Sequence, residues 1–535
     1  MTHAEPSARR PCVLVADPVA DDGLDALRST CEVVTRTGLS PDALRAAIAD
    51  VDALLVRSET RVTAELLTAA RRLRVVARAG AGVDNIDVAA ATERGVLVVN
   101  APGGNTVAAA EHTVAMLLAL ARRIPAADAS MKRGEWARGT FVGVEVRGKT
   151  LGLVGLGRVG TEVARRAQGL EMRVLVHDPY VSAEHARRLN LEPADLDELL
   201  GRSDFVTVHT PLTETTRGMI GTTELARMRP TAYLINCARG GVVDESALLA
   251  ALDAGTIAGA ALDVYATEPV GDSRLPHHPR VVATPHLGAS TVEAQGAVAR
   301  QVAEQVLVVL EGKPAQFAVN APSLAPETAE LLQPYVELAG FLGELATQLA
   351  DGRFQAIAVT YGGELATHDT AILGAAAVRG VLDPIVSERV NLVNAQLVAR
   401  GRGLRVAERK SDDAGPFTSR LDVAVETERG ETRASGTVVN RQPHIVQIGE
   451  FPIDLVPTRG YMLMTRHQDR PGMIGKVGTI LGEADVNISA MQVGREAPRG
   501  EALMIISVDE PVSADVMARL RAVENVNSLR VIQLR

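Results

Sequence analysis

Three polar residues set among long apolar stretches could together carry out a hydride transfer: Arg239 in INCARGG, Glu268 in VYATEP and His286 in TPHLGAS. Oxidising an alcohol carbon with a nicotinamide needs a base for the hydroxyl proton, a cation for a neighbouring carboxylate and a partner that orients the base. A histidine titrates near neutral pH and can act in both directions. An arginine can take an α-hydroxy carboxylate through two parallel hydrogen bonds and polarise the C2 oxygen. A buried glutamate on the second imidazole nitrogen would fix the tautomer and favour the protonated ring. Each residue alone also has a plainer reading: a satisfied histidine at a helix start, a surface acid beside Pro269, a loop cation. Of the competing histidines, His112 lies within an apolar helix and reads as structural. His209 ends a strand and reads as close to the cofactor.

What would bring the three together is a parallel sheet. TLGLVGLGRVGTEVARR, residues 150–166, joins an apolar strand to a glycine turn and a helical pattern, with Gly155, Gly157 and Gly160 spelling GxGxxG. The first glycine permits the tight turn, the second lets a pyrophosphate approach the backbone, and the third lets helix and strand pack closely. Asp178 follows a second strand where a carboxylate would take the adenosine ribose hydroxyls and repel a 2′-phosphate, so NAD is expected rather than NADP. The plainer alternative is a glycine turn with a surface aspartate. Further strands, MRVLVHD, DFVTVHTPLT, TAYLINCARGG, IAGAALDVYATEP and RVVATPHLGAS, end in Asp178, His209 with Thr210, Arg239, Asp263 leading to Glu268, and His286. Strand ends of one parallel sheet share an edge, so these residues converge.

The preceding stretch, Cys12 to Asn100, alternates strand and helix as a first doubly wound sheet. Two of its strands end in Arg57 (VRSET) and Arg78 (ARAGAGVDN), either an anion site or solvated surface cations. In APGGNTVAAAEHTVAMLLALARR, Asn105 and Thr106 sit at a helix start, where they cap it or help hold an anion. Pro314, Pro322 and Pro326 mark a linker. Beyond it, a helix over 328–350, the strand FQAIAVTYGGE, a helix in VNLVNAQLVARGRG, a hairpin turning at Arg429 and Gly430, and HIVQIGEFPIDLV form a separate α/β unit. Its several basic residues make no nameable catalytic set. The end of the chain alternates βαββαβ, a ferredoxin-like plait, with Asp469 to Gly472 turning into its first helix and Asn487 entering its second strand. Such plaits often pair edge to edge.

The whole chain, 535 residues, is 46% hydrophobic and 23% charged with a net charge of −9, which suits several globular cores and gives no reason to expect a nucleic-acid partner. The low aromatic share, 3%, suits helices on parallel sheets. Cys12, Cys31 and Cys237 make no metal or disulfide pattern, which points to a reducing compartment. The N-terminus lacks the apolar core of a signal peptide, and the most apolar helix is too short to span a membrane, so a cytoplasmic protein is expected.

Through LGLVGLGRVG with Asp178, INCARGGVVDE, ALDVYATEP and TPHLGAST, in that order, the first 320 or so residues resemble the D-isomer specific 2-hydroxyacid dehydrogenases. The resemblance implies Arg239, Glu268 and His286 as the catalytic set. It implies NAD contacts at Gly155, Gly157, Arg158, Val159, Gly160, Asp178, Thr210, Ala238, Asp263, Leu287, Gly288 and Ala289, and a substrate site at Arg57, Ser58, Arg78, Asn105 and Thr106. The full chain is similar to long members of the family that act on 3-phosphoglycerate in serine synthesis. That similarity implies an α/β fold of two Rossmann-like domains, a substrate-binding one (1–104 and 287–320) and an NAD-binding one (105–286). These would precede an intervening allosteric domain (321–456) and a C-terminal ACT domain (457–535). It further implies serine as effector at Asp469 and Asn487, no metal, and a homo-oligomer, a tetramer with paired ACT domains. His467 departs from an aromatic that related long forms can carry. Another D-2-hydroxy acid such as glycerate or hydroxypyruvate, an NAD-binding regulatory protein, and an amino-acid sensor remain alternatives.

Overall fold

The computed structural model describes residues 9–324 and 326–534. The signal-peptide reading of the N-terminus falls largely on residues 1–8, outside the described residues. Continuous apolar runs form the first sheet: β1 (Cys12–Val15), β2 (Glu32–Thr35), β3 (Ala53–Val56), β4 (Val75–Arg78) and β5 (Leu97–Val99). They are all parallel, in the order β2-β1-β3-β4-β5. Runs such as CVLV and ALLV are buried along their whole length because helices cover both faces. The helix Val292–Leu310 returns from the second half of the chain to complete this unit, packing on the helix Asp21–Thr30. The approach is close enough that a Cβ on Gly23 would lie 2.4 Å from the Ala299 carbonyl carbon.

The second sheet comprises β6 (Thr150–Val154), β7 (Arg173–His177), β8 (Glu192–Pro193), β9 (Phe205–Val208), β10 (Tyr233–Asn236), β11 (Gly259–Leu262) and β12 (Val281–Ala283). Its order, β12-β11-β10-β9-β6-β7-β8, reverses direction between β6 and β9, and that reversal opens a crevice at the carboxyl edge. The helix Thr106–Ala121 carries the chain from one sheet to the other.

Six strands follow in a mixed sheet: β13 (Phe354–Gly363), β14 (Arg405–Ser411), β15 (Ser419–Thr427), β16 (Gly430–Val439), β17 (Gln442–Ile448) and β18 (Phe451–Leu455). The expected helix over VNLVNAQLVARGRG shortens to Ala395–Gly401. Asn391 and Asn394 are the reason: Asn391 Oδ1 accepts from Val393 N–H at 2.9 Å and Asn394 Oδ1 from Asn391 N–H at 2.9 Å. These local bonds compete with helix formation. A buried helix, Ala371–Leu382, was not legible because, Arg379 apart, it is apolar all round.

The last four strands, β19 (Gly460–Gln468), β20 (Ile488–Arg495), β21 (Glu501–Val508) and β22 (Val526–Leu534), form an antiparallel βαββαβ plait in the order β20-β21-β19-β22. The long helix Pro326–Leu349 lies between the mixed sheet and the plait, sharing one core with Val423 and Ala434 on one side and Met464 and Ile505 on the other. No helix among the described residues is long and apolar enough to cross a membrane.

Candidate active site between the two parallel sheets

The carboxyl ends of the first two sheets face one cleft of approximately 1260 Å³. Arg57, Ser58 and Arg78 line it from the first sheet, and Arg239, Glu268, His286 and Ala289 from the second. The turn after β3 is braced from below. Asp17, 1% exposed at the end of β1, accepts Arg57 N–H at 2.6 Å and the Thr60 hydroxyl. Asn85 donates to the carbonyls of Arg57 and Thr60 at 2.8 and 2.6 Å. Neither brace was singled out from sequence, although Asp17 ends a strand and Asn85 shares a loop with Arg78.

Arg239 leaves the end of β10 on a turn closed by Asn236, whose amide donates to the Arg239 carbonyl at 3.0 Å. Its Nε lies 3.2 Å from Asp84 of the opposite sheet, so the ion pair bridges the cleft. Arg78 is the least satisfied of the three arginines. Its Nε is the one buried side-chain nitrogen or oxygen without a hydrogen-bond partner among the described residues. Burial, and then the nearby charge of Arg239, push its pKa down to about 10, so it stays cationic at neutral pH but poorly compensated.

His286 Nδ1 lies 2.7 Å from Glu268 Oε2, and Glu268 Oε1 accepts Tyr265 N–H at 3.0 Å. Burial is the largest influence on Glu268 and raises its pKa. The bonds from His286 and Tyr265 N–H outweigh it, so the carboxyl titrates below its usual range. An ionised carboxylate only accepts, so Nδ1 carries a proton and the neutral ring keeps Nε2 as its basic site. Glu268 is half-exposed rather than buried as expected, because it sits at the mouth of the cleft.

The glycine turn fits a dinucleotide. Gly155 has φ +98°, and a Cβ there would stand 2.8 Å from the His209 carbonyl oxygen. Gly160 lies so close to the turn that a Cβ would meet the Gly155 carbonyl oxygen at 2.2 Å. A Cβ on Gly157 meets nothing within 4 Å, which leaves open the space a pyrophosphate would occupy at the N-terminus of the helix Arg158–Gly169. Asp178 accepts the Leu156 and Tyr180 N–H groups at 2.8 and 2.9 Å, which pins it beside that turn. Arg158 and Val159 open the helix, and Thr210 and Ala238 are half-buried at the ends of β9 and β10. His209 is kept neutral by burial, its pKa pushed down to about 4.

Other expected contacts fall differently. Asp263 is fully buried and bonded to protein groups, including Leu287 N–H at 2.7 Å and Gly288 N–H at 2.9 Å. Asn105 and Thr106 lie outside the cleft lining, and Asn105 makes no side-chain cap. In the plait, Asp469 is taken by Arg495 at 2.8 Å and Arg499 N–H at 3.0 Å, and Asn487 donates to Asp509 at 2.6 Å. Arg495 first, and then Arg499 N–H, hold the Asp469 carboxyl below its usual range. His467 is 2% exposed within β19, and burial lowers its pKa. No cluster among the described residues could hold a metal ion.

Two parallel sheets, a dinucleotide turn on one and a guanidinium–imidazole–carboxylate set facing the other define an NAD-dependent dehydrogenase of 2-hydroxy acids. Residues 114–288 match the model of the D-isomer specific 2-hydroxyacid dehydrogenase NAD binding domain, 331–449 that of the D-3-phosphoglycerate dehydrogenase intervening domain, and 461–525 that of the ACT domain. The chain is 45% identical to a Synechocystis D-3-phosphoglycerate dehydrogenase over 98% of its own length and 94% of the relative's. To the Archaeoglobus fulgidus D-3-phosphoglycerate dehydrogenase it is 42% identical, over 98% of this chain and 100% of that one. A solved Thermus thermophilus protein superimposes with a TM-score of 0.54 at 37% identity, covering 58% of this chain and 99% of its own. The chain belongs to the D-3-phosphoglycerate dehydrogenase family.

Proposed function

We propose that the protein oxidises 3-phospho-D-glycerate to 3-phosphohydroxypyruvate, the first step of L-serine synthesis. The carrying observation is the meeting of three arginines, Arg57, Arg78 and Arg239, with the His286–Glu268 pair in one cleft. A small substrate with both a carboxylate and a phosphate suits three converging guanidinium groups, of which Arg78 keeps a buried, unpartnered Nε. The relatives' names carry the same activity.

The Gly155–Gly160 turn and Asp178 would hold NAD, which when bound would supply the acceptor for the hydride leaving C2. Arg239 binds the C1 carboxylate and polarises the C2 oxygen. Arg78 and Arg57, with Ser58, take the remaining negative charge. His286 Nε2 removes the hydroxyl proton, and Glu268 holds the ring and balances the imidazolium charge that results. Loss of the C2–O–H proton to His286 thereby completes formation of the ketone.

The same reading extends to regulation and assembly. Serine is the expected effector at the plait, where Asp469 would exchange Arg495 for the amino group of serine. A homo-oligomer, a tetramer with paired ACT domains, would cover the exposed Trp136 (81%), Val142 (78%) and Met131 (54%) beside the helix Ile124–Lys132. A reducing, cytoplasmic setting agrees with three separate, buried, free cysteines. The test is NAD reduction with 3-phosphoglycerate against a panel of glycerate and D-lactate, with and without millimolar serine, on wild type and His286→Ala. Preference for 3-phosphoglycerate and loss of turnover in the variant are expected. Near-normal turnover of His286→Ala would remove it from the mechanism, and a rate and melting temperature indifferent to serine would remove the effector.

A further inference from the structure

Asp263 follows β11 and lies beneath the loop that carries His286. Its carboxylate accepts three hydrogen bonds, from Leu287 N–H at 2.7 Å, Gly288 N–H at 2.9 Å and the Thr284 hydroxyl at 2.6 Å, and His112 Nε2 stands 3.1 Å from it. Its main-chain carbonyl accepts His286 N–H at 2.8 Å. His286 is therefore tied to Asp263 from both sides while holding φ at 56°, a left-handed conformation that a residue with a Cβ keeps only when its surroundings impose it.

Three of the four groups around the carboxylate belong to the segment 284–288 itself. The fourth comes from elsewhere in the chain: His112 stands in the helix Thr106–Ala121, the element that begins as the chain leaves the first sheet for the second. His112 Nε2 also lies 3.2 Å from the Thr284 oxygen. The single hydroxyl proton of Thr284 is committed to Asp263, and the carboxylate only accepts, so His112 Nε2 must carry the proton and donate. Among the carboxylate's partners, His112 is thus the one that ties it to the fixed helix rather than to the loop.

We propose that His112 is a positioning residue for the oxidation. By donating from Nε2 to Asp263 it fixes the carboxylate from which the His286–Gly288 loop hangs, and so holds His286 against Glu268 and the cleft. This rests on the reading of His286 as the base, and goes beyond it in assigning a buried histidine of another element to the same step. Burial of Asp263 would by itself raise its pKa, and the bonds from His112, Thr284 and Leu287 N–H reverse that, in keeping with a carboxylate held ionised.

The test compares His112→Gln, His112→Asn and His112→Leu in the full chain. Glutamine carries an amide nitrogen to the place of Nε2, whereas asparagine is too short and leucine has no donor. A hydrogen bond to a charged group is worth about 10- to 100-fold in an equilibrium. The Leu and Asn variants are expected to lose about that much kcat, with NAD affinity close to wild type, while the Gln variant stays within a few-fold. In the ligand-free chain, amide hydrogen exchange of residues 284–290 should quicken in the Leu and Asn variants and not in the Gln variant. Turnover of the Leu or Asn variant within about twofold of wild type, a Gln variant as slow as Leu, or equal exchange in all forms would each overturn the proposal. If leucine does not fold, Asn against Gln decides. If exchange follows the prediction but no form oxidises 3-phosphoglycerate, the substrate reading fails and the positioning role stands.

Discussion

Replacing Arg78 by methionine should separate stability from binding. The side chain enters the cleft from the end of β4 with a buried, unpartnered Nε, and it shares the cleft with Arg239 and Arg57. Its pKa falls from the ordinary arginine value to about 10, chiefly through burial and then through Arg239, with Asp84 opposing. A pKa lower in the folded than in the unfolded chain means that the folded state holds the proton less tightly. The charged form therefore destabilises the fold in full at every pH below about 10, and the penalty fades as pH rises from there toward the ordinary arginine value. A depression of this size corresponds to roughly 3 kcal/mol against the cation. Methionine keeps much of the volume and removes the charge. The ligand-free variant should thus unfold in urea at the same or a higher denaturant concentration than wild type, by up to about 3 kcal/mol. The same substitution should cut kcat/KM for the anionic substrate by about 100-fold, since a buried charge–charge contact is lost. Inorganic phosphate or sulfate should raise the melting temperature of wild type and not of the variant. A ligand-free variant destabilised by more than about 1 kcal/mol, with KM near that of wild type, would refute the idea that Arg78 is held strained for an anion.

Two further substitutions probe the rest of the cleft. Gly157→Ala meets open space, so the ligand-free chain should melt as wild type while NAD affinity, read by fluorescence titration, drops at least about 10-fold. Gly160→Ala would place its Cβ 2.2 Å from a backbone carbonyl oxygen and should lower stability with or without cofactor; equal behaviour of the two variants would contradict the assigned roles. Glu268→Gln should lower kcat by about 10- to 100-fold with KM little changed, and unchanged turnover would free the glutamate from orienting His286. Because the folded Glu268 pKa is lowered, its contribution to stability is present above the ordinary carboxyl value of 4.5 and lost as pH falls through the folded one. Wild type should therefore lose more stability between neutral and acid pH than the glutamine variant does.

How much of this was legible depended on where the information sits along the chain. A strand followed by Arg239, another by Glu268 and a third by His286 is readable because parallel strands end on one edge, so position within each local pattern fixes position in space. The same rule placed Arg57 and Arg78 at the cleft. Contacts made by residues inside elements could not be read this way. His112 meets Thr284 across 172 residues, and its periodicity says only that it belongs to an apolar helix. Asp84, Asp17 and Asn85 are short polar residues in turns, where local capping and long-range bracing look alike. The segment before Ala395 departs from its helical pattern for a related reason. Its asparagines bond their own backbone, and Asn391 also reaches the Gly95 carbonyl at 2.6 Å, tying the mixed-sheet unit to the first sheet.

The cleft joins two halves that each lack something. The first sheet supplies positive charge without a base, and the second supplies base and cofactor turn with one arginine. Arg239 is where they touch, through Asp84 at 3.2 Å, and Asp84 is 67% exposed. An exposed pair of this kind is worth only about 0–1 kcal/mol. A substrate carboxylate that accepts two parallel bonds from the same guanidinium, in a cleft already crowded with Arg78 and Arg57, gains more than Asp84 gives up. The Arg239–Asp84 pair can therefore hold the two sheets in register without binding so tightly that it keeps the substrate out. His286, held on its own sheet by Asp263 and Glu268, needs no contact from the first sheet to be in place before a substrate arrives.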